Sequence, residues 1–175
     1  MKTIRVLVRL AIVSAISLVP SLSHAASATT TSTATVIEPI AITKAADLVF
    51  GDFARGAGGT LTVATNGTRT ASGPILSTAG ALPAAAQFDV TGNADSTYSI
   101  SISPAAALTD SVSTETMSLS VFNDLTAGGA TAGTVTSGTL TGGAQSIYLG
   151  GELTVGATQA AGTYTGDVTV TVEYN

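Results

Sequence analysis

Residues 164–175 read Tyr164-Thr165-Gly166-Asp167-Val168-Thr169-Val170-Thr171-Val172-Glu173-Tyr174-Asn175. Tyr164, Val168, Val170, Val172 and Tyr174 share one parity, and Thr165, Asp167, Thr169, Thr171 and Glu173 take the other. Side chains of a strand point alternately to its two faces, so this is a strand with one apolar and one polar face. The same period recurs upstream. Ile147, Leu149, Leu153 and Val155 share a parity, and Gly150-Gly151 between them predicts a bulge. Met117, Leu119 and Val121 alternate with Ser118 and Ser120, and Tyr98, Ile100 and Ile102 alternate with serines. Phe88 and Val90 lead to a turn at Gly92-Asn93.

Nearer the N-terminus, Leu61 and Val63 alternate with threonines, and Thr68-Arg69-Thr70 resumes the extended pattern after Asn66-Gly67. Asn-Gly between two such runs predicts a hairpin with positive φ at both turn positions. Asn66-Gly67-Thr68 also matches a glycosylation sequon, but the turn accounts for the glycine. Asp47–Phe53 is another apolar run. A first strand is expected from Ala34 through Val36, Ile40 and Ile42, at an edge or bulged because Pro39 cannot donate to a ladder. Residues 126–146 are Thr/Gly/Ala-rich, with Val135 and Leu140 as the large apolar side chains, and read as a long loop or weak edge strand. No segment carries a sustained helical period, although 79–87 and 104–108 could each make one turn of helix. Seven to ten short strands with Gly, Asn and Pro turns predict an all-β protein, an antiparallel β-sandwich first and a barrel second.

The N-terminus carries a different signal. Lys2, Arg5 and Arg9 precede an apolar run from Leu10 to Val19, Pro20 breaks it, and Ser23-His24-Ala25 follows. A basic leader, a short apolar core and small residues at the peptidase positions make a secretory signal peptide over residues 1–25, cleaved after Ala25. The apolar run is short for a membrane span, and no later stretch is long and apolar enough to be one. The expected organisation is therefore signal peptide 1–25, flexible tail 26–33 and a single domain 34–175. The expected location is beyond the inner membrane: periplasm, cell surface or medium.

Removal of the leader takes three of the six Lys and Arg and leaves Lys44, Arg55 and Arg69 against eleven acids, a net charge of −8. Three scattered cations cannot neutralise a run of phosphates, so nucleic acid is excluded as a partner, and an anionic membrane surface is disfavoured. The chain has no cysteine, and its one histidine, His24, lies in the leader. An imidazole-dependent triad, a thiol nucleophile and a His/Cys zinc site are thus unavailable after cleavage. Gly56-Ala57-Gly58-Gly59 lacks the lysine of a phosphate loop and reads as a turn. Paired carboxylates could serve a glycosidase, but the acids fall at turns or on polar faces and no tryptophan offers a sugar platform. Asn93 with Asp95, and Asn123 with Asp124, are turn pairs without the spacing of a calcium loop. Tyr98, Tyr148, Tyr164 and Tyr174 read as core or rim residues before they read as a ligand groove. No catalytic residue, cofactor or metal is assigned.

Several segments carry a resemblance. Ala46-Asp47-Leu48-Val49-Phe50-Gly51 follows a Thr-Ala-Thr-Val-Ile stretch. Gly59-Thr60-Leu61-Thr62-Val63, Phe88-Asp89-Val90-Thr91-Gly92, Thr97-Tyr98-Ser99-Ile100-Ser101-Ile102 and residues 161–175 come after it. Together they resemble the DUF4402 family of small exported proteins of Gram-negative bacteria, over most of residues 33–175. That resemblance implies export and a sandwich and supplies no activity. The last strand also resembles that of chaperone–usher pilins and of spore coat U subunits, with Val168, Val170, Val172 and Tyr174 on the matching positions. The fold it implies is an Ig-like or pilin-like sandwich. Its implied partners are like subunits or a periplasmic chaperone, which would pair along those four residues by β-augmentation. The tail Ser27–Thr33 is small and polar and lacks the large alternating residues of such a donor strand. The expected function is that of an exported, non-catalytic structural or surface protein. The alternative is a secreted binding module, for glycans, that uses a loop such as 126–146.

Overall fold

The computed structural model describes residues 25–175 apart from Ala106, so the leader and its apolar core lie outside the described residues. Residues 25–35 are exposed throughout and carry no strand. Residues Val36–Asn175 form a compact unit of their own. Its strands, in chain order, are β1 (Ala41–Ala46), β2 (Phe53–Ala54), β3 (Gly59–Val63), β4 (Arg69–Ser72), β5 (Ile75–Leu76), β6 (Ala86–Thr91) and β7 (Thr97–Pro104). They continue with β8 (Ala107–Asp110), β9 (Thr116–Asp124), β10 (Ser137–Thr139), β11 (Ala144–Val155), β12 (Tyr164–Thr165) and β13 (Val168–Tyr174). All pairings are antiparallel. Among the described residues the only helical piece is a 3₁₀ turn at Thr141–Gly143, and no helix is long and apolar enough to cross a membrane.

The protein is an all-β sandwich. The long strand β11 organises the larger sheet. Along one edge it pairs with β9, and along the other its first half pairs with β6 and its second half with β3. β1 extends this sheet beyond β6, β4 extends it beyond β3, and β8 and β12 extend it beyond β9. The smaller sheet is β10-β7-β13. The two sheets face each other across a core of Val90, Tyr98, Ile100, Leu140, Ile147, Leu149, Val170 and Val172. A second core lies on the other half of the larger sheet and comprises Leu61, Val63, Leu108, Met117, Leu119, Leu153 and Val155. Phe50 packs into this half from above, with Leu48 and Phe53 beside it. No strand of the smaller sheet contributes a buried residue to this second core, which the segment 47–54, ending in the short strand β2, covers instead.

Several sequence expectations need correction. Residues 164–174 are two strands. Tyr164–Thr165 pairs with β8 in the larger sheet, and Val168–Tyr174 pairs with β7 in the smaller one. The chain changes sheets at Gly166, where a Cβ would lie 2.9 Å from Leu108 Cδ2 and 3.1 Å from the Ala107 carbonyl. Gly150-Gly151 is not a bulge, because the register with β9 is continuous through both. The glycines are there for space: a Cβ on Gly150 would enter the Phe122 ring, and one on Gly151 would lie 3.0 Å from Phe50 Cζ. The first strand starts at Ala41, not Ala34. The hairpin at Asn66-Gly67 forms, but positive φ is confined to Gly67. Gly67 N–H donates to the Ala64 carbonyl and Ala64 N–H to that of Thr68, the pattern of a three-residue loop with a glycine bulge. Neither suggested helical turn forms: β6 begins inside 79–87, and Pro104 and Ala107 belong to strands.

Candidate functional site

The four residues singled out in the last strand lie where one face meets the core. Val170 and Val172 are each 9% exposed, and Val168 and Tyr174 are half-buried. Thr169, Thr171 and Glu173 are exposed on the other face. β13 pairs with β7 from Val168 opposite Pro104 to Tyr174 opposite Tyr98. Among the described residues no strand pairs with its other edge. An antiparallel strand with one partner directs alternate N–H and C=O groups away from that partner, and such an edge is a template for another strand. Proteins commonly blunt edges with Lys, Pro or a bulge. β13 contains no Lys or Pro, and its register is regular.

Tyr174 fixes the far end of this edge. Its hydroxyl donates to the Glu38 carbonyl at 2.8 Å and accepts from the Asn93 N–H at 2.6 Å. It thereby ties β13 to the β6–β7 turn and to the chain entering β1. Gly92 is needed there, since a Cβ would run into the Tyr174 hydroxyl.

The near end opens into a groove of about 1010 Å³. Its walls are the segments 47–55 and 159–168, and its floor is Leu108, Met117, Leu119 and Val155. Packed interiors leave few voids larger than a water molecule, so this volume is unfilled space over the second core. Arg69 builds one wall. Its Nη1 donates to the carbonyls of Phe50 and Asp52 at 2.9 and 3.0 Å, and its Nη2 donates to that of Ser77 at 2.6 Å. Three carbonyls on one guanidinium, with the antiparallel bridge between Val49 and Ala84, hold Phe50 over the sheet. Arg55 spans the mouth, donating from Nη1 to the Gln159 carbonyl at 2.8 Å. Gln159 in turn donates to Glu115 and to the Tyr164 hydroxyl. With Lys44 paired to Asp47, each cation of the domain has a partner. In the sequence, Arg69 stands only as one of three scattered cations and as part of an extended run. Its in-strand position between threonines in a hairpin was the available signal, but its carbonyl partners are distant in sequence.

The remaining candidates have structural roles. Asp110 is 2% exposed and accepts from the amide and the hydroxyl of Ser113, both at 2.7 Å. The amide bond, then the hydroxyl bond, holds its carboxyl below the usual carboxylate range. Burial raises the Tyr98 phenol, whose ring lies against Gly138. Asn93 bonds Ser96 within its turn, and Asn123 bonds both backbone groups of Val135. The loop 126–136 is therefore not free. Asn123 holds it at Val135 and Thr65 at Ala130, and beyond it lie β10 and the buried Leu140. Another hollow, about 860 Å³, lies on the outer face of the larger sheet. Tyr148 lines it with Gln87 opposite on β6 and Asp89 nearby. Bonds from Gln87, then from Ser146, lower the Asp89 carboxyl below its ordinary value.

A family model described as a domain of unknown function, DUF4402, matches residues 40–174. The chain belongs to the DUF4402 family. The match takes in every strand of the domain, including the edge strand and both walls of the groove. No curated protein matches the chain.

Proposed function

We propose that this DUF4402 protein is an exported, non-catalytic structural or surface protein that assembles by strand pairing at the free edge of β13. One observation carries the reading: a regular edge strand without Lys, Pro or a bulge lies beside an apolar groove over half of the core. An added strand would satisfy the outward backbone groups of β13. Its side chains would fill space that the protein's own chain leaves empty. Export rests on the leader and the Ser23-His24-Ala25 site. The absence of catalysis rests on the residue inventory and on the acids, of which Asp110 and Asp89 are occupied in internal bonds. The partner class is a like subunit or a periplasmic chaperone.

The test is the mass of the exported full chain, by sedimentation or light scattering, over a wide concentration range. Multimers that dissociate on dilution support the reading, and a monomer throughout, with no partner strand bound, overturns it. A second reading has its own observation, the hollow where Tyr148 stands among Gln87 and Asp89. An aromatic face flanked by an amide and a carboxylate suits a glycan, with Tyr148 as platform. Binding of soluble glycans that is abolished by Tyr148→Ala supports that reading. No binding across a broad glycan panel overturns it.

A further inference from the structure

On the outer face of the larger sheet an aromatic side chain stands between two carboxylates. Tyr148 of β11 lies directly opposite Asp124 of β9 on one side and Gln87 of β6 on the other. Ser146, two residues before Tyr148, lies opposite Asp89 of β6. Directly paired residues share a face, so Asp89, Asp124 and Tyr148 project together. The two acids are two strands and two residues apart, about 12 Å between backbones at strand spacing and rise. Residues 125–127, where the chain leaves β9, wall one side of the hollow of about 860 Å³. Both carboxylates are oriented by neutral donors. Asp89 Oδ1 accepts from Gln87 Nε2 at 3.0 Å and from the Ser146 hydroxyl at 2.8 Å. Asp124 accepts from the Leu125 N–H at 2.7 Å and from the Thr126 hydroxyl at 3.2 Å. Such donors fix a carboxylate and favour its ionised form without cancelling its charge. The cations are engaged elsewhere: Lys44 with Asp47, Arg55 with Gln159, and Arg69 with the groove wall. Among the described residues neither carboxylate meets a cation.

We propose, resting on the glycan reading of this hollow, that its ligand is an oligosaccharide of amino sugars with free ammonium groups, one ring lying on Tyr148 and the ammonium groups meeting Asp89 and Asp124. Charge decides the class. An anionic sugar would bring its charge against both carboxylates and against a domain of three cations and eleven acids. A neutral sugar could use the ring, but on docking it would take water from two ionised groups and return no counter-charge. An ammonium group makes a charge-assisted hydrogen bond to a carboxylate and is also attracted to the face of a tyrosine ring. With β11 and its Tyr148 lying between the two acids, each takes an amine of its own, so the hollow suits an oligomer and not a single sugar. Gln87 completes the set. Its Nε2 donates to Asp89, and its carbonyl oxygen can accept from a sugar hydroxyl.

The experiment titrates the exported full chain with a short oligomer of glucosamine and, separately, with the same oligomer N-acetylated, which keeps the rings and removes the charge. The glucosamine oligomer should bind at least about fivefold more tightly than its acetylated counterpart, and its affinity should fall as salt is raised. Asp89→Asn and Asp124→Asn should each weaken it about two- to fivefold, the range of an exposed ion pair, and leave the acetylated oligomer unchanged. Tyr148→Ala should abolish binding of both. Asp167→Asn, at an exposed acid outside the hollow, should change neither. Equal affinity for the two oligomers, lost in Tyr148→Ala, overturns the amine preference and leaves the glycan reading standing. Failure of both oligomers to bind overturns both. A glucosamine oligomer that binds the Asp89, Asp124 and Asp167 variants as it binds wild type overturns the site, because the overall acidity of the domain then accounts for the attraction. Thermal unfolding separates lost binding from lost fold, and an Asp89 or Asp124 variant that melts like wild type but has lost the preference supports the proposal.

Discussion

Truncation of Val170 to alanine tests the placement of β13. Val170 is 9% exposed and belongs to the core that Ile100 and Val172 of its own sheet share with Ile147 of the larger sheet. The change removes two methyl groups' worth of buried surface, about 1.6 kcal/mol at about 0.8 kcal/mol per buried carbon. A cavity term adds to this wherever neighbours do not collapse. The expected loss is about 1–3 kcal/mol. Thr169→Ala, on the exposed face of the same strand, removes no core contact and should stay within about 0.5 kcal/mol of wild type. The assay is urea unfolding of both variants, read as midpoint shifts at constant slope. Equal losses for the two, or a larger loss for Thr169→Ala, would refute the facing of β13 and with it the orientation of its free edge.

Other outcomes follow from particular contacts. Gly150→Ala should destabilise by about 1–3 kcal/mol through overpacking, since the new Cβ would enter the Phe122 ring and lie 2.5 Å from the Val63 carbonyl; thermal unfolding measures it. Asp110 has a depressed folded pKa, so its stabilising contribution is present above the unfolded value near 4 and is lost as pH falls through the folded value. Asp110→Asn should therefore be less stable than wild type at neutral pH, with the gap narrowing below about pH 4 in a pH series of melting curves. Exported material should begin at Ala26, and an intact Met1 in its mass spectrum would contradict cleavage.

Period-two alternation located the core faces of β7, β9, β11 and β13, whose other faces are mostly in water, but it did not mark Phe122, buried on the opposite parity of β9 against Gly150. The same alternation runs from Tyr164 into Val168 without marking the change of sheet. Apolar parity reports burial, not which strand lies alongside, and Gly166 is as compatible with a strand interior as with a crossing. Gly150 and Gly151 raised a similar ambiguity between a bulge and close packing, and only the facing Phe122 and Phe50 rings decide it. The candidate site was half visible. The valines of β13 could be named, while the groove depends on Phe50 standing in for a strand and on Arg69 holding it there. The stretch 126–146 reads as a long loop or weak edge strand and contains both, an irregular 126–136 and the short edge strand β10; its anchoring by Asn123 and Leu140 is what composition does not show.

The central claim is that the outer edge of β13 accepts a strand. Hydrogen–deuterium exchange on the exported full chain addresses it directly, resolved to single amides and measured at concentrations above and below the assembly midpoint. Alternate amides of β13 bond to β7 and should be slow at both concentrations. The intervening amides face outward and should slow markedly only in the assembled sample. Outward amides of β13 that exchange at the same rate at every concentration would contradict the claim.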